Sequence, residues 1–482
     1  MQFNSYIFIL AFLPFTLIAY YQLNRRGWNV GAKILLLLLS LVFCGYFNYK
    51  YLYIIGASIL INYAFSRLLA DPRRSVAAKK WLLFTVISLN LLILFYFKYF
   101  NFFTENVNLL FQTSFALKNL ILPLGISFLT FQQIAYAVDS YRGETAGYCF
   151  LDYAVFAAFF PRLIAGPIVL HGEIIPQLNE SRNHRINYEN FSYGLLMFAV
   201  GLAKKVFIAD FFAGAVSWGY ASVGQLTSLD AFIVMLSYTF QIYFDFSSYT
   251  DMALGVGLMF NIKLPTNFNS PYKAVSIQDF WKRWHITLTR FLTRYVYIPL
   301  GGNQKGRLRT YVNIMIVFLV SGLWHGANWT FVLWGFLHGL VSVLHRRFQT
   351  GWGRIPTVLQ WAATFLFVNI AWIFFRADSI KQGWAIINRM VEWQAPAVSS
   401  GLLASFELPV ITGLESLLKI PMPSSLDMLL FLAFTFVITL LFKNLQELEF
   451  KPTSTNAVWT VILLVSGIFS MSAISAFIYQ KF

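Results

Sequence analysis

Six histidines hold most of the acid–base chemistry open to this chain. His171, His184 and His345 stand beside polar or charged neighbours at the ends of apolar runs and point to no role. His325 is different: it lies in Ser321–Trp329 (SGLWHGANW), with apolar or small residues on both sides. From the basic stretch Lys305–Arg309, the run beginning at Tyr311 reaches His325 after about 15 residues, roughly 22 Å of helix. Bilayer hydrocarbon is about 30 Å thick, so this imidazole is expected deep in a membrane, where an ionisable group is a functional candidate by default. A desolvated imidazole is held neutral, the form a general base requires. Gly322 and Gly326 flank it and allow close approach of backbone or substrate. The plainer alternative is a core histidine with a satisfied hydrogen bond.

His338, on the next apolar run, reads as structural before catalytic. Asp245 and Asp251 also stand in apolar surroundings, where they would hold a histidine or arginine in place or serve as buried hydrogen-bonding groups. Ser276–Tyr297 (SIQDFWKRWHITLTRFLTRYVY) has another character. Ser276 and Asp279 have the spacing of an N-terminal capping box. On a helical wheel Phe280, Trp281, Trp284, Leu288 and Phe291 share one arc, while Lys282, Arg283, Arg290 and Arg294 take the opposite one. The pattern predicts one amphipathic helix over 276–297 lying in the headgroup plane. It would serve either as a lipid-facing anchor or as a dock for an anionic cytosolic ligand such as a phosphorylated acyl carrier. His285 falls at the edge of its apolar arc.

The absent motifs narrow the chemistry. There is no G-x-S-x-G elbow, H-E-x-x-H, P-loop or C-x-x-C. One buried histidine with scattered carboxylates falls short of a metal ligand set, so no metal is expected. What one buried base can do to a hydroxyl is acyl transfer from an activated donor.

The elements that must position these residues belong to a membrane. Of 482 residues 58% are hydrophobic, 19% aromatic and 12% charged, against roughly 25% charged in soluble proteins. A soluble core cannot absorb that excess and still be covered by charge. The net charge of +16 is spread over short gaps between apolar runs, which is the positive-inside pattern rather than a nucleic-acid tract. Cys44 and Cys149 are too few for a disulfide framework. The first run, near Tyr6–Tyr21, is followed by Arg25, Arg26 and Lys33, not by a small-residue cleavage site. It reads as a retained helix with the N-terminus extracytoplasmic. Further runs continue to Val458–Ile478, several too short to span alone. The expectation is an all-α polytopic membrane protein of about 11 to 13 transmembrane, re-entrant and interfacial segments.

Several long blocks, in order, resemble the membrane-bound O-acyltransferase (MBOAT) family, specifically its bacterial polysaccharide branch. They are Leu122–Gly143 (LPLGISFLTFQQIAYAVDSYRG), Phe159–Ile168, Gln241–Tyr272, Asp279–Leu292, Tyr295–Asn303, Ser321–Gly339 and Ile373–Ser379. Arg162 is a departure, standing where relatives commonly have His or Gln. The resemblance implies a ring of helices around a thin centre with a central tunnel. It implies one domain over 1–482, with N-terminal helices (1–120), a motif core (121–380) and C-terminal helices (381–482). It makes His325 the catalytic histidine and His285 a second histidine near the site. It implies acetyl-CoA or another acyl thioester as donor, with no bound cofactor. The resemblance further implies an extracytoplasmic polysaccharide as acceptor and, as partner, an SGNH-type acetyltransferase subunit outside the bacterial inner membrane. D-alanyl transfer to teichoic acid is a related alternative. A transporter for polymer or lipid-linked precursor is the non-enzymatic one, and the inverted repeats it calls for are not found.

Overall fold

In hydrocarbon every peptide group must find its partner within the chain, and for apolar runs of this length the solution is the helix. The computed structural model describes residues 1–145, 147–392, 397–408, 423–471, 475 and 477–478. Among them there are helices and no strand. Five helices are long and apolar enough to cross a membrane: Lys50–Ala70, Val76–Phe111, Gly306–His325, Thr357–Arg376 and Ser425–Glu447. Asn29–Gly45 and Ser454–Phe469 are apolar but shorter. The end of the run Val458–Ile478 lies partly outside the described residues. Two compact units alternate along the chain.

The first unit comprises Met1–Leu202, Tyr249–Thr266 and Phe450–Phe482. Its principal helices are α1 (Leu13–Arg25), α2 (Asn29–Gly45), α3 (Lys50–Ala70), α4 (Val76–Leu94), α5 (Ile126–Tyr141), α6 (Phe150–Ala158), α7 (His171–Asn179) and α8 (Tyr188–Ala203). Polar side chains join helices that lipid would otherwise leave without a driving force. Asn62 and Asn90 exchange amide hydrogen bonds between α3 and α4, at 3.2 and 2.8 Å. Lys33 on α2 pairs with Asp152 on α6 at 2.6 Å. Arg162 is buried, donating to the Gln132 side chain at 2.6 Å and to the Phe156 carbonyl, with its guanidinium over the Phe156 ring.

The long helix α9 (Ser228–Met259) begins in the second unit and ends in the first. The second unit, Ala203–Ser248 and Asn267–Glu449, holds α10 (Ile277–Arg283), α11 (Ile286–Leu292), α12 (Gly306–His325), α13 (Trp329–Arg347), α14 (Thr357–Arg376) and α15 (Ser424–Leu440). Helices α12 and α13 form a tight hairpin. Gly322, Gly335 and Gly339 lie at their contact, and a methyl group on Gly322 would stand 2.3 Å from the Phe331 carbonyl oxygen. Small residues are what let membrane helices approach so closely.

The expected single helix over 276–297 is instead two. Ser276 caps α10 by accepting from the Asp279 N–H at 3.1 Å, as the capping box predicts. The helix then stops at Arg283, and α11 restarts at Ile286 after a residue with φ +44°. The two-sidedness of the segment survives, but its apolar side (Phe280, Trp281, Trp284, Leu288, Phe291) is buried in the protein rather than laid on lipid. Wheel periodicity reports that a face is covered, not by what.

Candidate active site

His325 is the last residue of α12 and 2% exposed. The helix ends there because Gly326 is extended and Asn328 opens α13, its side chain accepting from the Thr330 N–H at 3.0 Å. The Asn328 amide also donates to the Asp378 carbonyl at 2.9 Å, which fixes the turn to the segment after α14. The close approach expected at Gly322 and Gly326 is made by α13: the Phe331 carbonyl faces Gly322 and the Phe331 ring faces Gly326. Gly322 brings backbone to backbone, and Gly326 brings backbone to a ring. Around the imidazole stand the rings of Trp324, Phe375 and Trp334, with centroids 5.0, 5.1 and 5.2 Å away.

His285 lies in the break between α10 and α11 and is fully buried. Asn267 shapes that break. Its side-chain oxygen accepts from His285 Nδ1 at 3.1 Å, from the Thr287 N–H at 3.2 Å and from the Thr287 hydroxyl at 2.8 Å. Its own backbone carbonyl takes the Ile286 N–H at 3.0 Å. An oxygen that accepts three times requires Nδ1 to carry the proton, so Nε2 holds the ring's lone pair. Burial pushes this imidazole down to about 3, which keeps it neutral. His285 and His325 come together through one ring: the Trp324 centroid is 6.0 Å from the first and 5.0 Å from the second.

His338 joins the same cluster. The Trp281 indole donates to its Nδ1 at 3.3 Å, so the proton is on Nε2. Among the described residues, that Nε2, the Trp334 indole nitrogen and the Trp372 indole nitrogen have no hydrogen-bond partner, although all three side chains are fully buried. Trp334 packs on His325, on His338 (4.7 Å) and on Trp372 (5.8 Å). Buried donors without acceptors each cost about 1–3 kcal/mol, and orphaned groups of this kind mark places where something else accepts. A cavity of about 300 Å³ opens beside the cluster. Trp281, Phe318 and Leu288 line it, exposed Lys282 and Arg346 stand on its wall, and Ser321 brings it one turn from His325.

Asp245 bonds Lys205 at 2.7 Å, and Asp210 holds the same ammonium at 2.9 Å. Lys205 escaped notice in the sequence, yet a lysine within the apolar run Tyr193–Phe212 was the available signal. Asp251 belongs to the first unit. There too, Asp139, Glu144 and His171 bring potential ligand atoms within 4.8 Å of one another. Asp139 already meets His171 at 3.3 Å and the Arg142 guanidinium at 3.5 Å, polar contacts that tie α5 to α7.

The family pattern of MBOAT, the membrane-bound O-acyltransferase family, matches residues 132–380, the stretch that builds both histidine positions. A peptidoglycan O-acetyltransferase of Helicobacter pylori is 44% identical over 419 residues, covering 81% of this chain and 79% of that protein. This chain belongs to the membrane-bound O-acyltransferase family. As a family member it is an acyltransferase and a membrane protein. The probable alginate O-acetylase AlgI of Pseudomonas aeruginosa is 38% identical over 418 residues, 85% of this chain and 79% of its own. A teichoic acid D-alanyltransferase of Bacillus subtilis is 26% identical over 275 residues, 53% of this chain and 69% of its own.

Proposed function

We propose that this acyltransferase O-acetylates an extracytoplasmic polysaccharide, taking acetyl from a cytosolic thioester, acetyl-CoA, with His325 as general base. The observation that carries the reading is the buried cluster itself: an imidazole among indole and imidazole N–H groups that lack acceptors. A thioester carbonyl is the acceptor such donors suit, and they strengthen as its oxygen gains charge. A ring nitrogen of His325 takes the proton of the acceptor hydroxyl, and the oxygen bonds to the acyl carbon. The carbon–sulfur bond breaks, and the thiolate leaves with the proton returned from the imidazole. Lys282 and Arg346 suit the phosphates of the donor, and the apolar wall between Trp281 and Phe318 suits its uncharged arm. The rings of Trp324, Trp334 and Phe375 enclose His325, so this reading requires that at least one of them turns aside when substrate enters.

Acetyl is favoured over D-alanyl because the relatives named for acetylation match at 44% and 38% over more than four fifths of this chain, and the D-alanyltransferase at 26% over 53%. The acceptor is a cell-wall glycan or an alginate-like exopolysaccharide. The chain works in the bacterial inner membrane with its N-terminus outside, and an SGNH-type subunit completes transfer. The test is O-acetyl content of wall and exopolysaccharide in a deletion strain complemented with wild type or His325→Gln, alongside acetyl release from labelled acetyl-CoA by purified protein. Loss of both signals at equal protein level is expected. Wild-type acetylation by His325→Gln removes the general base from this histidine.

A further inference from the structure

A second cavity lies wholly within the first unit and shares no residue with the site above. It measures about 1200 Å³, larger than the roughly 300–1,000 Å³ of drug-sized ligand sites. Leu13 and Leu17 from α1 and Leu195 and Phe198 from α8 give it an apolar wall, and Gln22, Asn24, Asn29, Ser181 and His184 add polar groups to the lining. The hydroxyl of Tyr21, which also lines the cavity, is already engaged, donating to the Met259 carbonyl at 2.7 Å. Two cations, Arg25 and Arg185, stand on its lining, both exposed, and among the described residues no acidic one lines the cavity. Neither guanidinium makes a hydrogen bond or ion pair with a described residue. The nearby carboxylate of Glu180 is taken by Arg182 at 2.7 Å.

A cavity with an apolar wall and two guanidinium groups that no described carboxylate faces has the chemistry of an amphiphile with an anionic head. A soluble anion would leave the trough empty, and an uncharged chain would leave the arginines without purpose. We propose that this groove seats one anionic phospholipid, its acyl chains along Leu13, Leu17, Leu195 and Phe198 and its phosphate at Arg25 and Arg185. Basic pockets between membrane helices at the headgroup level are a recurrent lipid-recognition device. The lipid lies against α1 and α8 as a structural ligand, independent of the acyl-transfer reaction.

The test uses the full chain purified in a neutral detergent, with retained lipid read by native mass spectrometry and thermal unfolding followed during titration. The probes are phosphatidylglycerol, phosphatidylcholine and inorganic phosphate. One phosphatidylglycerol per chain is expected to be retained and to raise the unfolding temperature, with phosphatidylcholine weaker and inorganic phosphate without effect. The double variant R25Q/R185Q, altered only at exposed side chains, should weaken phosphatidylglycerol about thirtyfold, the loss expected for two basic residues near a headgroup, and leave phosphatidylcholine unchanged. Leu17→Trp, which fills the trough, should lower retention of both lipids. Equal responses to the two lipids, an equal response to inorganic phosphate, or an unaltered affinity in R25Q/R185Q each overturn the proposal. Capture of a protein helix in place of lipid overturns it too.

Discussion

Gly322→Ala separates two effects that ordinarily oppose each other. Inside an exposed helix, alanine is worth about 1 kcal/mol over glycine, so the substitution alone would stabilise α12. At this position the added methyl would lie 2.3 Å from the Phe331 carbonyl oxygen and 3.3 Å from the Gly335 Cα, where ordinary contacts begin at 3.4 Å. Both obstructing atoms are backbone, so no rotamer change relieves the clash and the hairpin must open by about 1 Å. Overpacking of this kind costs about 1–3 kcal/mol, which leaves a net loss of up to about 2 kcal/mol. The consequence for chemistry is larger. His325 follows Gly322 by one turn on α12, and Trp334 adjoins Gly335 on α13. Parting the helices therefore moves His325 against the Trp334 indole by about 1 Å, a displacement that can cost 10²-fold in rate if His325 is the base proposed above. The assay compares membrane abundance, thermal stability in detergent and acetyl transfer for Gly322→Ala against Gly56→Ala, whose added methyl meets nothing within 4 Å. Transfer reduced about a hundredfold with modest destabilisation is expected for the first and wild-type transfer for the second. Full transfer by Gly322→Ala refutes the claim that this crossing sets the site.

Other substitutions address the remaining parts. Trp334→Phe keeps a ring but removes the orphaned N–H, and transfer should fall about 10²- to 10³-fold at unchanged donor affinity if that group meets the acyl oxygen; a rise in KM alone points to packing instead. Lys205→Met leaves Asp245 buried without its cation and should destabilise by about 3–5 kcal/mol, with Lys205→Met/Asp245→Asn recovering part of the loss in the same denaturation assay. His285 titrates near 6.5 unfolded and near 3 folded, so the unfolded chain takes the proton first. Its contribution to stability is complete above pH 6.5 and shrinks as pH falls toward 3, by about 1.4 kcal/mol per pH unit. His285→Asn, which tolerates the same backbone conformation, should flatten the decline in unfolding temperature between pH 6.5 and 5; an unchanged slope places the proton elsewhere.

How much of this was legible in the sequence depends on the kind of signal. Apolar runs bounded by basic gaps announced the helices, because hydrocarbon admits few other structures. A histidine far from any charged neighbour announced His325, because burying an ionisable group is expensive and therefore informative. The Ser276–Asp279 cap was readable because it is local, closing over three residues. What escaped was set by contacts distant in the chain. The break at His285 is imposed by Asn267, and nothing within 277–292 signals it: the wheel is continuous across a helix that is not. Asp245 could be seen to need a cation, but that the cation was Lys205 required the fold. The glycines beside His325 told of a close approach without saying whether backbone or substrate makes it.

The break itself is the least local feature and bears most directly on the site. A histidine at φ +44° sits in the left-handed region, which costs a non-glycine residue about 1–2 kcal/mol. Such conformations persist only where surrounding structure over-determines them, and here Asn267 supplies the restraint, binding the Ile286 and Thr287 N–H groups, the Thr287 hydroxyl and the imidazole together. Had 276–297 continued as one helix, the position of residue 285 at the edge of the apolar arc would have left its ring near the headgroups. Kinking the backbone at that residue instead sinks the ring against Phe246 and Trp324. The strain is thus coupled to the placement of a neutral imidazole, lone pair on Nε2, one indole away from His325. Relieving it while keeping the fold, as His285→Gly would, leaves the kink intact and removes only the ring, so any loss of acetyl transfer in that variant reports on the imidazole rather than on the bend.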